Sequence, residues 1–327
     1  MDFDLTDDQR EIKGVARELL TARSPWAKVR AAAEAASYDP ALWKEIVELG
    51  WPGIAVAEEH GGQGLGAVEL AVLLEELGYA CAATPFWSTA VAAAVIQAAG
   101  SDSQRARWLP GLVSGELTAG LGTAELAADA EGAAVAILID GDEARLIPAP
   151  QSEPVVTIDP TRRFARVSGD AEPLEAGASA RIYAGLAAEV VGVCQRGLEM
   201  TLDYVKDRKQ FGVPVGSFQA VAHRCAQMLL HTESSRSTAY FAAWAADADP
   251  ERLGEAAALA AAAAAAGGRE VAASAIQAHG GIGFTWEADV HWLYKRAQLD
   301  AALLGGTGRH HAALARAAAA RIALAAR

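Results

Sequence analysis

A mainly helical fold interrupted by one small sheet is the class this sequence predicts, on three observations. Alanine, the best helix former, fills roughly a quarter of the 327 residues. Long apolar segments bounded by helix start and stop signals occupy both ends of the chain. Between them, after Gly115-Glu116, short β-rich runs alternate with proline and glycine turn signals.

The N-terminal segments read as successive helices. Thr6-Asp7-Asp8-Gln9 has the pattern of a capping box, with Leu5 as a staple, and opens a helix to about Leu20. Asp39-Pro40 sets a cap before a proline at the first helical position, and Gly50 and Pro52 stop that helix. The loop Gly61-Gly62-Gln63-Gly64-Leu65-Gly66 feeds a helix with Val68, Val72, Leu73 and Leu77 on one face and Gly78 at its end. Ser88–Ala99 and Ser103–Val113 are two further helical segments. The sheet region holds the runs Ala134–Ile139, Ala144–Ile147, Val155–Ile158 and Phe164–Val167, spaced by Gly141-Asp142, Pro148, Pro150, Pro154 and Pro160. From about Ala176 helices are expected to Arg208, over Ser217–Ala246, over Pro250–Ala266, to an end near Gln277, and from His310 to the C-terminus. Long, mostly apolar helices of this kind pack as a bundle. The expected domains are 1–116, 117–175 and 176–327.

Composition excludes several classes. There are 28 Lys and Arg against 41 Asp and Glu, a net charge of -13, whereas nucleic-acid backbones demand a positive face. A 52% hydrophobic content argues against a disordered polymer. Cys81, Cys194 and Cys225 are too scattered for a disulfide framework or a metal site, so a reducing, cytoplasmic setting is expected. No cysteine has a base partner for nucleophilic catalysis. The acidic opening Met1-Asp2-Phe3-Asp4 lacks the pattern of a secretory signal. The run Ala256–Ala266 is too short and too weakly apolar for a membrane span. The seven histidines show no metal-ligand spacing, and His310-His311 reads as a solvated or interface pair. Trp286, Trp292 and Tyr294 read as core or interface packing.

Two segments carry the chemical information. In Tyr204-x3-Arg208-Lys209-Gln210-Phe211-Gly212-x-Pro214-x2-Ser217-Phe218-Gln219, a helix ends in cations, turns, and restarts. On physics alone this is a helix hairpin whose cations complement the macrodipole. In Gln277-Ala278-His279-Gly280-Gly281-Ile282-Gly283-Phe284-Thr285-Trp286-Glu287, a glycine-rich loop follows a helix. Its backbone amides suit a phosphate, and it equally serves as a helix terminator. No strand precedes it, so it is not a Rossmann fingerprint.

Together these segments resemble the C-terminal half of the acyl-CoA dehydrogenase family. Leu5-Thr6-x2-Gln9, Glu48-Leu49-Gly50-Trp51-Pro52-Gly53, Glu58-Glu59-His60-Gly61-Gly62, Glu75-Glu76-Leu77-Gly78, Leu109-Pro110-Gly111-Leu112 and Asp159-Pro160-Thr161-Arg162 extend the resemblance over nearly the whole chain. It implies an N-terminal helical domain, a middle β domain and a C-terminal four-helix bundle. It also implies that Arg208 pairs with the pyrophosphate of FAD, a task suited to a guanidinium fork. Phe211 would pack against the cofactor, Gln219 would hydrogen-bond it, and Gln277, Gly280 and Gly281 would present donors. In the family these groups reach across a subunit interface, so an oligomer is implied.

The sequence departs from the family pattern in the middle. Its Thr-Glu-Pro-like flavin segment is replaced by Leu121-Gly122-Thr123-Ala124-Glu125-Leu126-Ala127-Ala128-Asp129, where Glu125 reads best as a solvated turn carboxylate. The Asn-Gly-x-Lys-like segment survives only as Ile139-Asp140-Gly141-Asp142-Glu143-Ala144-Arg145. Leu304-Gly305-Gly306-Thr307 places Gly305 where many members carry the catalytic Glu. Other members place it early in the long helix, where Arg181-Ile182-Tyr183 offers no carboxylate. Glu189, two turns on at about 10 Å, reads as an intersubunit or capping contact before a base. Arg296 is expected to hold an ion pair. No catalytic residue and no metal are therefore assigned.

The pattern is similar to the short chain of actinobacterial α2β2 acyl-CoA dehydrogenases, which act on bulky steroid-derived thioesters. The resemblance implies a longer dehydrogenase subunit as partner, an acyl-CoA substrate and an electron-transfer flavoprotein as electron acceptor. A homomeric flavoprotein with a relocated base and a non-catalytic scaffold are the alternatives.

Overall fold

In the computed structural model the backbone is described from residue 4 to residue 325. Met1, Asp2 and Phe3, which carry most of the signal-peptide expectation, lie outside the described residues, as do residues 326 and 327. The chain begins with α1 (Asp7–Arg23), α2 (Trp26–Ala35), α3 (Pro40–Glu48), α4 (Ala67–Ala80), α5 (Phe86–Ala99) and α6 (Asp102–Val113). The strands β1 (Ala119–Gly122), β2 (Ala127–Ala128), β3 (Val135–Asp140), β4 (Glu143–Pro148), β5 (Gln151–Val155), β6 (Phe164–Ser168) and β7 (Glu172–Pro173) follow. Then come α7 (Ala178–Asp207), the hairpin β8 (Lys209–Gln210) and β9 (Val213–Pro214), α8 (Gln219–Ala248), α9 (Leu253–His279), α10 (Val290–Leu303) and α11 (Gly306–Ala325). The fold is thus mainly α, with helices before and after a small sheet.

Local chemistry sets the helix ends. The Thr6 hydroxyl accepts from the Gln9 N–H while the Gln9 side chain accepts from the Thr6 N–H, which closes the predicted box. Asp39 caps α3 through the N–H groups of Ala41 and Leu42. Ser101 and Gln104 form a second capping box at α6.

The sheet runs β5-β6-β2-β1-β3-β4-β7. β1 and β3 are parallel and every other neighbouring pair is antiparallel. The expected strand at Val155–Ile158 is corrected to Gln151–Val155. Its Pro154 lies opposite Ala165 on an edge strand, where a missing N–H is tolerated, and Val156 beyond it projects wholly into solvent. β1, β2 and β7 were not predicted, because strands of two to four residues are too short to carry an alternating pattern, and β1 and β2 are made largely of Ala and Gly.

The bundle differs from expectation in three places. The helices expected over Pro250–Ala266 and up to Gln277 are one helix, α9. Gly267 and Gly268 do not break it; they let it approach its neighbours. A Cβ on Gly267 would stand 2.6 Å from Ser235 Oγ on α8, and one on Gly268 would stand 2.8 Å from Val190 Cγ1 on α7. The unpredicted α2 and α10 complete the helical set. The last helix starts at Gly306 rather than at His310.

One hydrophobic core runs through all three parts, joining Leu20 and Leu74 to Ile137 and Leu146 of the sheet and to Leu186 and Ala261 of the bundle. Burial on this scale is the main stabilising term. Its closest crossing is α4 on α7. A Cβ on Gly192 would lie 1.8 Å from the Glu75 carbonyl oxygen, and one on Gly78 would lie 2.0 Å from that of Glu189. Beside this crossing, buried Glu75 takes Lys13 at 2.8 Å, Arg236 and the Tyr240 hydroxyl, while Glu76 takes Arg17. These pairs give Glu75-Glu76 a structural role.

Candidate functional site

The two informative segments meet at one end of the bundle. Arg208 caps α7, its N–H donating to the Tyr204 carbonyl at 2.8 Å. Lys209-Gln210 and Val213-Pro214 pair, with Phe211 and Gly212 as the turn between them. Both turn residues have positive φ, 53° and 82°, as a tight two-residue hairpin requires. For an aromatic residue that conformation is strained. Phe211 is also 94% exposed, touching Phe218 edge to face at 6.3 Å. A bulky ring held out in solvent on a strained turn is poorly explained by packing within this chain.

The glycine-rich loop reaches the same end through Tyr204, whose ring stacks on His279 at 4.4 Å. His279 bonds the Ala275 carbonyl at 2.8 Å, and burial lowers its pKa, so the stacked imidazole is held neutral. The glycines divide the work. Gly283 closes the turn, since a Cβ there would stand 2.4 Å from the Ile276 carbonyl oxygen. Gly280, at φ 64°, and Gly281 have no atom within 4 Å of a would-be Cβ, so their backbone lies open. Gln219 opens α8 beside Phe218. The side chains of Arg208, Gln219 and Gln277 are exposed and make no hydrogen bond among the described residues. The structure therefore gathers Arg208, Phe211, Gln219, Gln277, Gly280 and Gly281 at one end of the bundle, with their donors free. An open backbone, a free guanidinium and two free amides are a donor set that fits a diphosphate.

The other half of the expected site is different in kind. Gly305 has φ 75°, and a Cβ on it would stand 2.8 Å from Arg309 Cδ. Arg309 lies over Tyr183 and donates to the Gly141 carbonyl at 2.5 Å. A cation thus stands beside the position the resemblance reserves for a carboxylate. Arg309 had no role in the sequence reading; the paired glycines before it, which leave room for its side chain, were the available signal. Glu125 is exposed and pairs with Arg166 at 2.9 Å, as a solvated turn carboxylate does.

Glu189 is corrected outright: it is neither a cap nor an exposed intersubunit contact. It is 0% exposed and pairs with Arg162 and with Arg296, the latter at 2.8 Å. Arg296 also donates to Asp159 at 2.6 Å and to the Thr161 hydroxyl, and Arg162 donates to Asp300 at 3.2 Å. Burial alone would raise the Asp159 pKa, but the charges of Arg296 and Arg162 and the hydrogen bonds from Thr161 and Arg296 together outweigh it, and the group is held below its ordinary value. Asp300 is held well above its ordinary value by burial and then by the Glu189 charge. The set is neutral when Asp300 carries a proton: two guanidiniums against two carboxylates.

The remaining candidates are structural. His310 is buried rather than solvated, bonding the Leu304 carbonyl at 2.6 Å and meeting the Tyr183 ring edge to face, while His311 is exposed. Trp292 is core, but Trp286 and Tyr294 are exposed. Burial pushes the Cys81 and Cys194 thiols up to about 12, which makes them inert at neutral pH. Among the described residues no cluster of His, Cys, Asp or Glu could hold a metal ion, and no helix is long and apolar enough to cross a membrane.

Helices, a small sheet and a helical bundle, in that order, define the class of acyl-CoA dehydrogenase folds. Residues 6–116 match the acyl-CoA dehydrogenase N-terminal domain and residues 181–319 match its C-terminal domain, and the chain belongs to this family of oxidoreductases. It is 34% identical over 318 residues to acyl-CoA dehydrogenase IpdE2 of Mycobacterium tuberculosis, covering 91% of this chain and 93% of that one. It superposes on a Tcur3481-Tcur3483 steroid acyl-CoA dehydrogenase variant with a TM-score of 0.89 at 28% identity, covering 97% of this chain and 99% of that chain. A chain of the ChsE4-ChsE5 complex from Mycobacterium tuberculosis shares the fold, with a TM-score of 0.85 at 24% identity, 98% of this chain and 99% of the other being covered.

Proposed function

We propose that this chain is the short subunit of a heteromeric, α2β2 acyl-CoA dehydrogenase that desaturates a bulky, steroid-derived acyl-CoA between Cα and Cβ. On this reading the chain completes a cofactor site carried by a longer partner subunit and contributes no catalytic base. The observation that carries it is the contrast between the two half-sites. The end bearing Arg208, Phe211 and Gly280-Gly281 is open and unpaired, whereas Gly305 faces a cation and Glu189 is enclosed between two arginines. A general base must reach the proton it takes; the position at Gly305 carries no side chain, Arg309 stands beside it, and Glu189 is engaged by two arginines. The engagement of Glu189 also counts against a homomeric enzyme with a relocated base.

The group to be held is FAD, which supplies the acceptor for hydride leaving Cβ while the Cα proton passes to the partner's base. Arg208 would neutralise the pyrophosphate, Gln219 and Gln277 would hydrogen-bond the dinucleotide, and Phe211 would cover it. The backbone at Gly280 and Gly281 would approach it closely because no side chain intervenes. The steroid character of the substrate rests on the relatives, one of which is described as a steroid enzyme. An electron-transfer flavoprotein is the expected acceptor of the electrons. The domain borders that go with this reading are 1–116, 117–175 and 176–327.

The test is the complex carrying Arg208→Ala together with Gln277→Ala. Its flavin is expected to dissociate about a hundredfold more readily, since two exposed contacts to a charged group are lost. Flavin retention equal to that of the wild-type complex overturns the reading.

A further inference from the structure

A cleft of about 530 Å3 lies between the sheet and the start of α11, walled by Leu138, Ile139, Ile147, Tyr183 and Leu303. Its volume lies within the range of small-molecule sites. The Arg309 guanidinium enters it next to Gly305. Only Nη2 of Arg309 is engaged, on the Gly141 carbonyl at 2.5 Å and near Asp142 Oδ1 at 3.4 Å. Nε and Nη1 make no hydrogen bond among the described residues, and the missing side chain at Gly305 leaves that edge of the fork uncovered. The other charges along the cleft are placed differently. Glu125 pairs with Arg166 and Arg145 with Glu143, while Asp140 sits at the exposed rim.

We propose that this cleft binds an apolar carboxylate, a free hydrocarbon acid whose head takes the open edge of Arg309 and whose body lies along the apolar wall. A guanidinium pairs with a carboxylate through two charge-assisted hydrogen bonds, whereas a thioester or amide offers one neutral acceptor. An apolar wall beside a guanidinium with an open edge therefore favours the acid over its neutral derivatives. The cleft is built by this chain alone, so the proposal stands apart from the shared-FAD reading: loss of flavin or of partner assembly leaves it untouched.

The experiment is calorimetric titration of the full chain with octanoate and with octanamide, which differ in the charge of the head. Octanoate is expected to bind at roughly millimolar concentration or below, and octanamide about tenfold more weakly. Arg309→Gln is expected to weaken octanoate about tenfold and to erase the difference between the two ligands. Ala302→Trp, on the exposed end of α10 that lines the cleft, leaves Arg309 and its bond to Gly141 in place. It is expected to abolish binding of both ligands by filling the space. No binding of octanoate, equal binding of octanamide, or octanoate binding unchanged by Arg309→Gln or by Ala302→Trp overturns the proposal.

Discussion

Arg296 donates to Asp159, Thr161 and Glu189 from an almost wholly enclosed position. Removing it as Arg296→Met leaves two carboxylates facing one arginine, and a broken buried pair costs about 3–5 kcal/mol. Urea unfolding is expected to show that loss; a change under about 1 kcal/mol contradicts the buried network. Asp300 in the same cluster gives a pH dependence. An unfolded aspartate titrates at about 4, whereas burial and then Glu189 hold the folded group well above its ordinary value. Between the two values the fold keeps a proton that the unfolded chain has lost. The stability due to this group is therefore complete below about 4 and declines as pH rises through the folded value. Asp159 and Glu75 work in the opposite sense: burial would raise them, but their cationic partners hold them low, so their contribution is lost as pH falls. Asp300→Asn keeps an acceptor for Arg162 and is expected to flatten the decline of Tm on the alkaline side; an unchanged slope contradicts a protonated Asp300. Single residues were unevenly legible in the sequence. Arg208, Phe211 and Gln277 sit in local motifs, and local motifs survive in one dimension. Glu189, Arg162, Arg296 and Asp300 form their cluster across as many as 138 positions of sequence, and no spacing rule reveals such a set.

At the scale of elements, glycine decides how closely the helices pack. Gly192 and Gly78 let α4 and α7 cross with backbone against backbone. Gly192→Ala places a methyl group 1.8 Å from the Glu75 carbonyl oxygen, which must separate the helices. The expected loss is about 1–3 kcal/mol or more, read as a fall in Tm; a neutral result contradicts this packing. Gly267-Gly268 misled the sequence reading for the same reason. The pair reads as a helix stop, yet inside a buried helix it serves close approach at a small propensity cost. α2 and α10 carry no start signal of their own, Pro25 and Asp289 standing at their N-caps without a side-chain bond; α5, α7 and α8 also lack such a cap but are marked by longer apolar runs. Helices with an explicit cap, α1 and α3, were placed to within a few residues.

For the whole molecule, the order of helices, sheet and helices was legible because composition changes at both borders. The unity of the core was not, since contacts among α4, α7 and the sheet span the expected domains. Part of what the single chain leaves uncovered lies at one end, while Leu65, Val156, Ile158 and Ile322 are exposed elsewhere. Phe211, Phe218, Leu229, Leu230 and Ile282 are exposed on the hairpin, the first half of α8 and the glycine-rich loop. Together with the unpaired Arg208 and Gln277, this surface suits a second subunit better than water. The charge of -13 bears on solubility and leaves the acyl group unspecified. The most direct measurement is flavin absorbance and acyl-CoA dehydrogenase turnover of this chain purified alone and then together with a longer dehydrogenase chain that carries a catalytic Glu. The expected result is a colourless, inactive protein alone and a yellow, active complex. Stoichiometric flavin and turnover in the isolated chain would contradict the central claim.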